Sequence, residues 1–99
     1  MAYTIRVVDP SEEAFQFKRL GTLYGLYDDA ELISCVDVLV TGFIGEYYTR
    51  AAYRNQGYMG QLLDYAVQQK GKLSIIDTEK LDPAMRSACL GHGVRTIQF

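Results

Sequence analysis

Short segments rich in branched and aromatic residues, separated by polar turns, dominate the first half of the chain and predict β-strands. The first of them, residues 3–8, alternates between apolar and polar positions. Residues 22–27 and 32–40 come later, and the polar turn between them at residues 28–31 predicts a β-hairpin. Residues 43–49 continue the pattern, so we expect three antiparallel strands in succession.

A short helix is predicted over residues 10–20, between the first strand and the hairpin. Asp9 is a good N-cap residue, and Pro10 suits the first helical position. Glu12 stands three residues after Asp9, which is the spacing of a capping box. Gly21 is suited to ending this helix.

The second half of the chain changes to helical spacing. Apolar residues recur at intervals of three and four over residues 59–67, with polar residues between them. This pattern predicts an amphipathic helix that begins after Gly57 and ends near Gly71.

The remaining residues predict a strand, a helix and a last strand. Residues 73–77 read as a short buried strand, and Asp82-Pro83 caps a helix that runs through Leu90. Residues 94–99 have the alternation of a final strand, which we expect to be antiparallel. Together with the first half, these elements predict a mixed α/β sheet in one domain over residues 1–99.

Composition narrows the classes of partner. A net charge of −2 and scattered basic residues argue against nucleic acid. The apolar stretches are far shorter than the roughly 20 residues of a membrane span, and no export signal is visible. Cys35, Cys89 and the single histidine, His92, are too few and too separated to predict a metal site. We therefore expect a reduced, cytoplasmic protein.

The most informative segment is Arg54-Asn55-Gln56-Gly57-Tyr58-Met59-Gly60, at the junction between a strand and a helix. A helix N-terminus presents unpartnered N–H groups and favours an anion. Glycine lets a phosphate approach the backbone, and Arg54 can add charge-assisted hydrogen bonds. The arrangement suits a pyrophosphate, and the alternative is a glycine-rich turn with a solvated arginine. Neither the three-glycine dinucleotide fingerprint nor a Gly-Lys-Ser/Thr phosphate loop is present.

This segment resembles the signature of the GNAT superfamily of N-acetyltransferases, Arg/Gln-x-x-Gly-x-Gly/Ala, at the turn between the fourth strand and the next helix. Leu62-Leu63 and the late pair Gly93-Val94 extend the resemblance over roughly residues 22 to 95. The fold it implies is a GNAT-like mixed, mostly antiparallel sheet with helices on both sides, truncated at the C-terminus.

The resemblance implies binding of acetyl-coenzyme A (acetyl-CoA). Backbone amides from Gln56 to Gly60 would hold the pyrophosphate, and the fourth strand would bind the pantetheine arm. That strand would splay from residues 73–77 and open a slot for the thioester. The implied cofactor-binding residues are Tyr48, Thr49, Arg50, Arg54, Asn55, Gln56, Gly57, Tyr58, Met59 and Gly60.

The implied activity is transfer of an acetyl group to an amine, on a protein lysine or N-terminus or on a small molecule. Such a protein supplies positioning, an oxyanion-stabilising donor, a base and an acid. The alternative is a catalytically weak protein of the same fold that acts as a protein-binding or inhibitory module.

Three departures from the family pattern affect the candidate site. Met59 stands where the family prefers Gly or Ala, with Gly60 one residue late, and Asp82 stands where asparagine is common. Cys89 aligns with the family's acid-type tyrosine and is the candidate acid, with a small buried thiol as the alternative role.

Glu46 is the candidate base, but it and Tyr47 can face the slot together only if the strand bulges. Its alternative role is a surface carboxylate, and His92 is interpreted as a polar loop residue.

The third departure is at the end of the chain, where the family's last hairpin is cut short at Phe99. A strand without that hairpin exposes an edge that tends to pair with another chain. We therefore expect a second copy or a partner protein at residues 94–99, and a frayed tail is the alternative.

Overall fold

The computed structural model describes residues 3–12 and 18–98. These residues form six strands and two α-helices in a compact α/β fold. The chain order is β1 (Tyr3–Val7), β2 (Thr22–Asp28), β3 (Glu31–Val38), β4 (Ile44–Thr49), α1 (Tyr58–Lys70), β5 (Ser74–Ile76), α2 (Pro83–Gly91) and β6 (Arg95–Ile97). A single 3₁₀ turn at Ala51–Tyr53 follows β4.

The first four strands form an antiparallel sheet in the order β1-β2-β3-β4, which confirms the predicted succession of antiparallel strands. The hairpin between β2 and β3 turns at Asp29, whose φ of 53° lies in the left-handed region that aspartate tolerates better than most residues. The polar turn predicted at residues 28–31 is therefore confirmed.

A β-bulge interrupts β4. Val36 pairs with Tyr47 and Val38 pairs with Ile44, so three steps along β4 oppose two steps along β3. A bulge bends its strand and changes the direction in which the side chains point. This irregularity lies directly before the part of β4 that borders the candidate site.

Ladder pairing between the segments of β4 and β5 is limited to one place in the described residues. Phe43 and Ser74 form a single parallel bridge, in which the Ser74 N–H donates to the Gly42 carbonyl at 3.0 Å. No ladder continues beyond this bridge in residues 18–98, and β5 pairs with β6 in a separate two-stranded sheet. The outer edge of β4 is consequently left without a neighbouring strand where the predicted slot begins.

The predicted direction of the last strand was wrong. β6 runs parallel to β5, with Ser74 opposite Arg95 and Ile76 opposite Ile97. The reason is the intervening helix: α2 returns the chain to the end at which β5 began, and a strand after such a crossover runs parallel to the first.

One face of the four-stranded sheet packs against α1 and carries the main core. Leu62 and Leu63 are fully buried, and burial of each contributes about 1.5–3 kcal/mol. The ring of Tyr65 meets that of Tyr24 edge to face at 5.5 Å. α2 packs against α1 and β6 and buries Met85 and Cys89.

The predicted helix over residues 10–20 lies partly outside the described residues, which omit residues 13–17. Half of its capping box is present: the Asp9 N–H donates to Glu12 Oε1 at 3.3 Å, but the Asp9 side chain accepts the N–H of Ser11 at 2.9 Å instead of that of Glu12. Residues 18–20 are not helical. Helices are thus described on one side of the sheet, and the expectation of helices on both sides stays a prediction.

Candidate functional site

The junction between β4 and α1 leaves several backbone donors without partners. Asn55 and Gly57 both have positive φ, at 62° and 83°, and Gly57 is the N-cap of α1 without a side-chain capping bond. The first helical bond runs from the Gln61 N–H to the Gly57 carbonyl at 3.2 Å. Within the described chain, the N–H groups of residues 58–60 therefore have no hydrogen-bond partner, and the first turn contains no acid. Such an end attracts an anion.

A cavity of about 680 Å³ opens beside these donors. Its walls are the outer edge of β4, the loop and first turn of α1, and one face of α2. The lining residues are Tyr47, Tyr48, Thr49, Tyr53, Arg54, Asn55, Gly57, Tyr58, Met59, Gly60, Asp82, Ala84, Met85, Ser87, Ala88, Gly91 and His92.

Eight of the ten predicted cofactor-binding residues line this cavity, and Arg50 and Gln56 do not. Both of these side chains donate hydrogen bonds to backbone carbonyls outside the cavity lining. Arg50 Nε donates to the Leu32 carbonyl at 2.7 Å, and Gln56 Nε2 donates to the Ala52 carbonyl at 3.0 Å. The sequence motif therefore identifies the segment that borders the cavity but not the direction of each side chain.

Arg54 connects the loop to the end of β4. Its Nε donates to the Thr49 carbonyl at 2.8 Å, and its guanidinium carbon lies 5.3 Å from the centre of the Tyr48 ring. The two terminal nitrogens make no hydrogen bond to any residue that the structure describes. They are the part of this side chain that can meet an anion in the cavity.

The α2 wall of the cavity is built from small residues. Ala84, Ser87, Ala88 and Gly91 share one helix face, at the spacing of three and four residues. Nine helical residues extend about 13 Å, and the small side chains on this face leave open space beside the helix. Asp82 caps the helix as predicted, because its Oδ1 accepts the Ala84 N–H at 2.9 Å.

Tyr47 lies at the β4 wall, beyond the bulge and opposite the beginning of α2. Burial raises the pKa of its phenol above the usual value, and a backbone hydrogen bond from Asp82 opposes that rise. The hydroxyl therefore keeps its proton at neutral pH.

Neither candidate catalytic residue lies among the residues that line the cavity. Glu46 is exposed, at the bulge that turns β4. Cys89 is fully buried on the core side of α2, and burial raises the pKa of its thiol to about 11. The positions agree with the alternative roles, a surface carboxylate and a core thiol.

Sequence reasoning missed His92, which the fold brings against the first turn of α1. Its Nδ1 lies 2.8 Å from Asp64 Oδ1, and a Cβ atom added to Gly60 would lie only 2.3 Å from its Nε2. The only available signal was that Gly60 and Asp64 lie one helical turn apart. That spacing gives no indication of which distant residue fills the place between them.

A cluster of three tyrosines fixes the beginning of α1. The hydroxyls of Tyr3 and Tyr58 are 2.8 Å apart, and the ring centres of Tyr53 and Tyr58 are 5.9 Å apart. The hydrogen bond to Tyr58 is the largest cause that raises the pKa of Tyr3 to about 12. This cluster ties the cavity wall to β1 and holds the donors of the first turn in place.

No protein-family model matches the chain, and no match was found among curated proteins or solved structures. None of the described helices is long and apolar enough to cross a membrane. Within residues 3–12 and 18–98, no group of three or more His, Cys, Asp or Glu side chains is placed to hold a metal ion.

Proposed function

We propose that the protein is an acetyl-CoA-dependent N-acetyltransferase of the GNAT type that acts on an amine. One observation carries this proposal: the segment that resembles the GNAT signature borders a cavity and offers it unpartnered N–H groups. The four antiparallel strands, the helix after β4 and the single β-bridge between the segments of β4 and β5 agree with the fold that the resemblance implies.

The residues present fit such a cofactor. The N–H groups of residues 58–60 and the terminal nitrogens of Arg54 would hold its phosphates. The edge of β4 at Tyr48 and Thr49 and the small-residue face of α2 would hold the extended arm. When bound, acetyl-CoA supplies an acetyl group as a reactive thioester.

The protein's own contribution to the chemistry is positioning and proton transfer. The walls formed by β4 and α2 would restrict the acetylated arm of the cofactor to one direction. A bound amine and the acetyl group would then react without further loss of motional freedom. Tyr47, on the wall opposite the beginning of α2, holds a proton that its hydroxyl can donate.

A second candidate is a catalytically weak protein of the same fold that works by binding or inhibiting a partner. The observation that favours it is the position of Glu46 and Cys89, which leaves the cavity without either predicted catalytic group. In this case the cavity would bind the cofactor, or a partner, without transfer.

Two measurements on the full chain separate the candidates. The first is the melting temperature with and without acetyl-CoA, because a ligand that binds the folded state stabilises it. The second is release of free thiol from acetyl-CoA in the presence of a panel of peptide and small-molecule amines. A stabilised protein that releases thiol only with an amine supports the enzyme. Stabilisation without thiol release supports the weak module, and no stabilisation at millimolar acetyl-CoA contradicts the proposal.

A further inference from the structure

His92 and Asp64 form a pair at the wall of the cavity. His92 directly follows α2, and its Nδ1 lies 2.8 Å from Oδ1 of Asp64, in the second turn of α1. The carboxylate accepts the Nδ1 hydrogen and so fixes the orientation of the ring. The pair connects the end of one cavity wall to the beginning of another.

The ring occupies a place that only glycine leaves open. A Cβ atom on Gly60 would lie 2.3 Å from Nε2 and 2.8 and 2.9 Å from two ring carbons of His92. Gly60 is not among the glycines with positive φ, so its backbone conformation does not require glycine. The requirement for glycine at this position comes from the imidazole that packs on it.

The second ring nitrogen remains available to a ligand. With Nδ1 bound to Asp64, Nε2 has no hydrogen-bond partner within residues 3–12 and 18–98. It is not sealed in the core either, since the described side chains include no buried polar atom without a partner. His92 lines the cavity beside Gly60, the last of the three residues whose N–H groups are unpartnered.

We propose that His92 binds the phosphate-bearing end of the cofactor through Nε2 and that Asp64 positions it for this role. This inference rests on the proposed function, which seats the phosphates at the first turn of α1. With a hydrogen on each ring nitrogen, the imidazole can donate one hydrogen bond to Asp64 and a second, through Nε2, to a phosphate at the first turn of α1. A ring that served only to join the two helices would need Nδ1 alone.

The test compares two ligands and two variants by calorimetric titration of the full chain. The ligands are acetyl-CoA and S-acetylpantetheine, which has the same acetylated arm without phosphates. In His92→Asn the shorter amide can keep the hydrogen bond to Asp64 but has no group at the position of Nε2. Lys70→Gln is the matched control, because it removes a positive charge from the far end of α1. Melting temperatures without ligand show whether each variant is folded.

We expect His92→Asn to weaken acetyl-CoA binding about tenfold, the usual effect of losing a charge-assisted hydrogen bond, and to leave S-acetylpantetheine binding unchanged. Lys70→Gln should change neither. Unchanged acetyl-CoA binding in His92→Asn, or equal weakening of both ligands, overturns this inference but not the proposed function. A parent protein that binds no acetyl-CoA overturns both. If His92→Asn does not fold, His92→Gln is the second variant, since its amide nitrogen replaces Nε2 without the charge. It should weaken acetyl-CoA binding severalfold, by less than about tenfold, and leave S-acetylpantetheine binding unchanged; equal weakening of both ligands, or of neither, overturns the inference.

Discussion

Gly57 and Gly60 lie three residues apart, yet we expect an added methyl group to act differently at each. At Gly57, φ is +83° and no atom lies within 4 Å of an added Cβ. Gly57→Ala should therefore destabilise the protein through backbone strain alone, and we expect a loss of about 1–2 kcal/mol of unfolding free energy. At Gly60 the backbone accepts alanine, but the added methyl would overlap the ring of His92.

The magnitude for Gly60→Ala follows from which group can move. The atoms in the way belong to the end of a side chain that is 36% exposed, so the ring can turn toward solvent without repacking the core. Loss of the exposed pair with Asp64 costs up to about 1 kcal/mol, and alanine in a helix returns up to about 1 kcal/mol relative to glycine. We therefore expect the stability of Gly60→Ala to stay within about 1 kcal/mol of the parent, while His92 leaves its place.

Urea denaturation measures the first part of this prediction, with Gly57→Ala as the comparison. The second part uses the fact that His92 is the single histidine of the chain, so its ring signals in a proton–carbon NMR spectrum need no assignment. Gly60→Ala should shift those signals toward the values of an exposed histidine, and Gly57→Ala should not. Two results would show that the His92 ring does not turn away as we expect: a loss of more than about 3 kcal/mol in Gly60→Ala, as for a rigid overpacked core, or ring signals identical to those of the parent.

Three further predictions concern other parts of the fold. Arg54→Ala should weaken acetyl-CoA binding, measured by titration, by about 1.5 kcal/mol, the low end for charged hydrogen bonds because Arg54 Nε already donates to the Thr49 carbonyl. Arg95→Ala, outside the cavity, is the control, and an equal loss of binding there would mean a non-specific charge effect. The Arg86 guanidinium lowers the pKa of Asp77, so this ion pair stabilises the fold above the unfolded pKa of about 4, and the stabilisation is lost as pH falls through the lower, folded pKa. The urea midpoint of Arg86→Gln should therefore change less than that of the parent between about pH 5 and 2, and parallel curves would contradict this. Thr96→Pro should abolish any self-association at β6, because the N–H groups of Arg95 and Ile97 face β5 whereas the N–H of Thr96 faces outward. Sedimentation measures this, and a parent that sediments as a monomer and binds no partner favours the frayed tail instead.

Much of the fold could be predicted because local signals decide local structure. The polar turn at residues 28–31, the three- and four-residue spacing after Gly57 and the Asp82-Pro83 cap each depend on neighbouring residues only. The same holds for the motif that borders the cavity, since a strand, a glycine turn and a helix in succession are sufficient to produce unpartnered N–H groups there.

Features that depend on distant contacts could not be predicted in this way. The direction of β6 depends on the path of α2, and the exposure of Glu46 depends on a bulge that appears only when β4 pairs with β3. Asp37 is fully buried, and its carboxylate accepts the backbone N–H groups of Leu20 and Gly21 at 2.8 and 3.0 Å, seventeen and sixteen residues away. His92 likewise meets Asp64 across 28 residues. Contacts between residues this far apart leave no periodic pattern and no characteristic spacing by which they could be recognised in the sequence.

Calorimetric titration of the full chain with acetyl-CoA measures whether the cavity at the beginning of α1 binds this cofactor. We expect saturable binding of one molecule per chain, with a dissociation constant of about 100 µM or tighter, and weaker binding in Arg54→Ala. No saturable heat at millimolar acetyl-CoA, from a chain that melts cooperatively in the same buffer, would contradict this expectation.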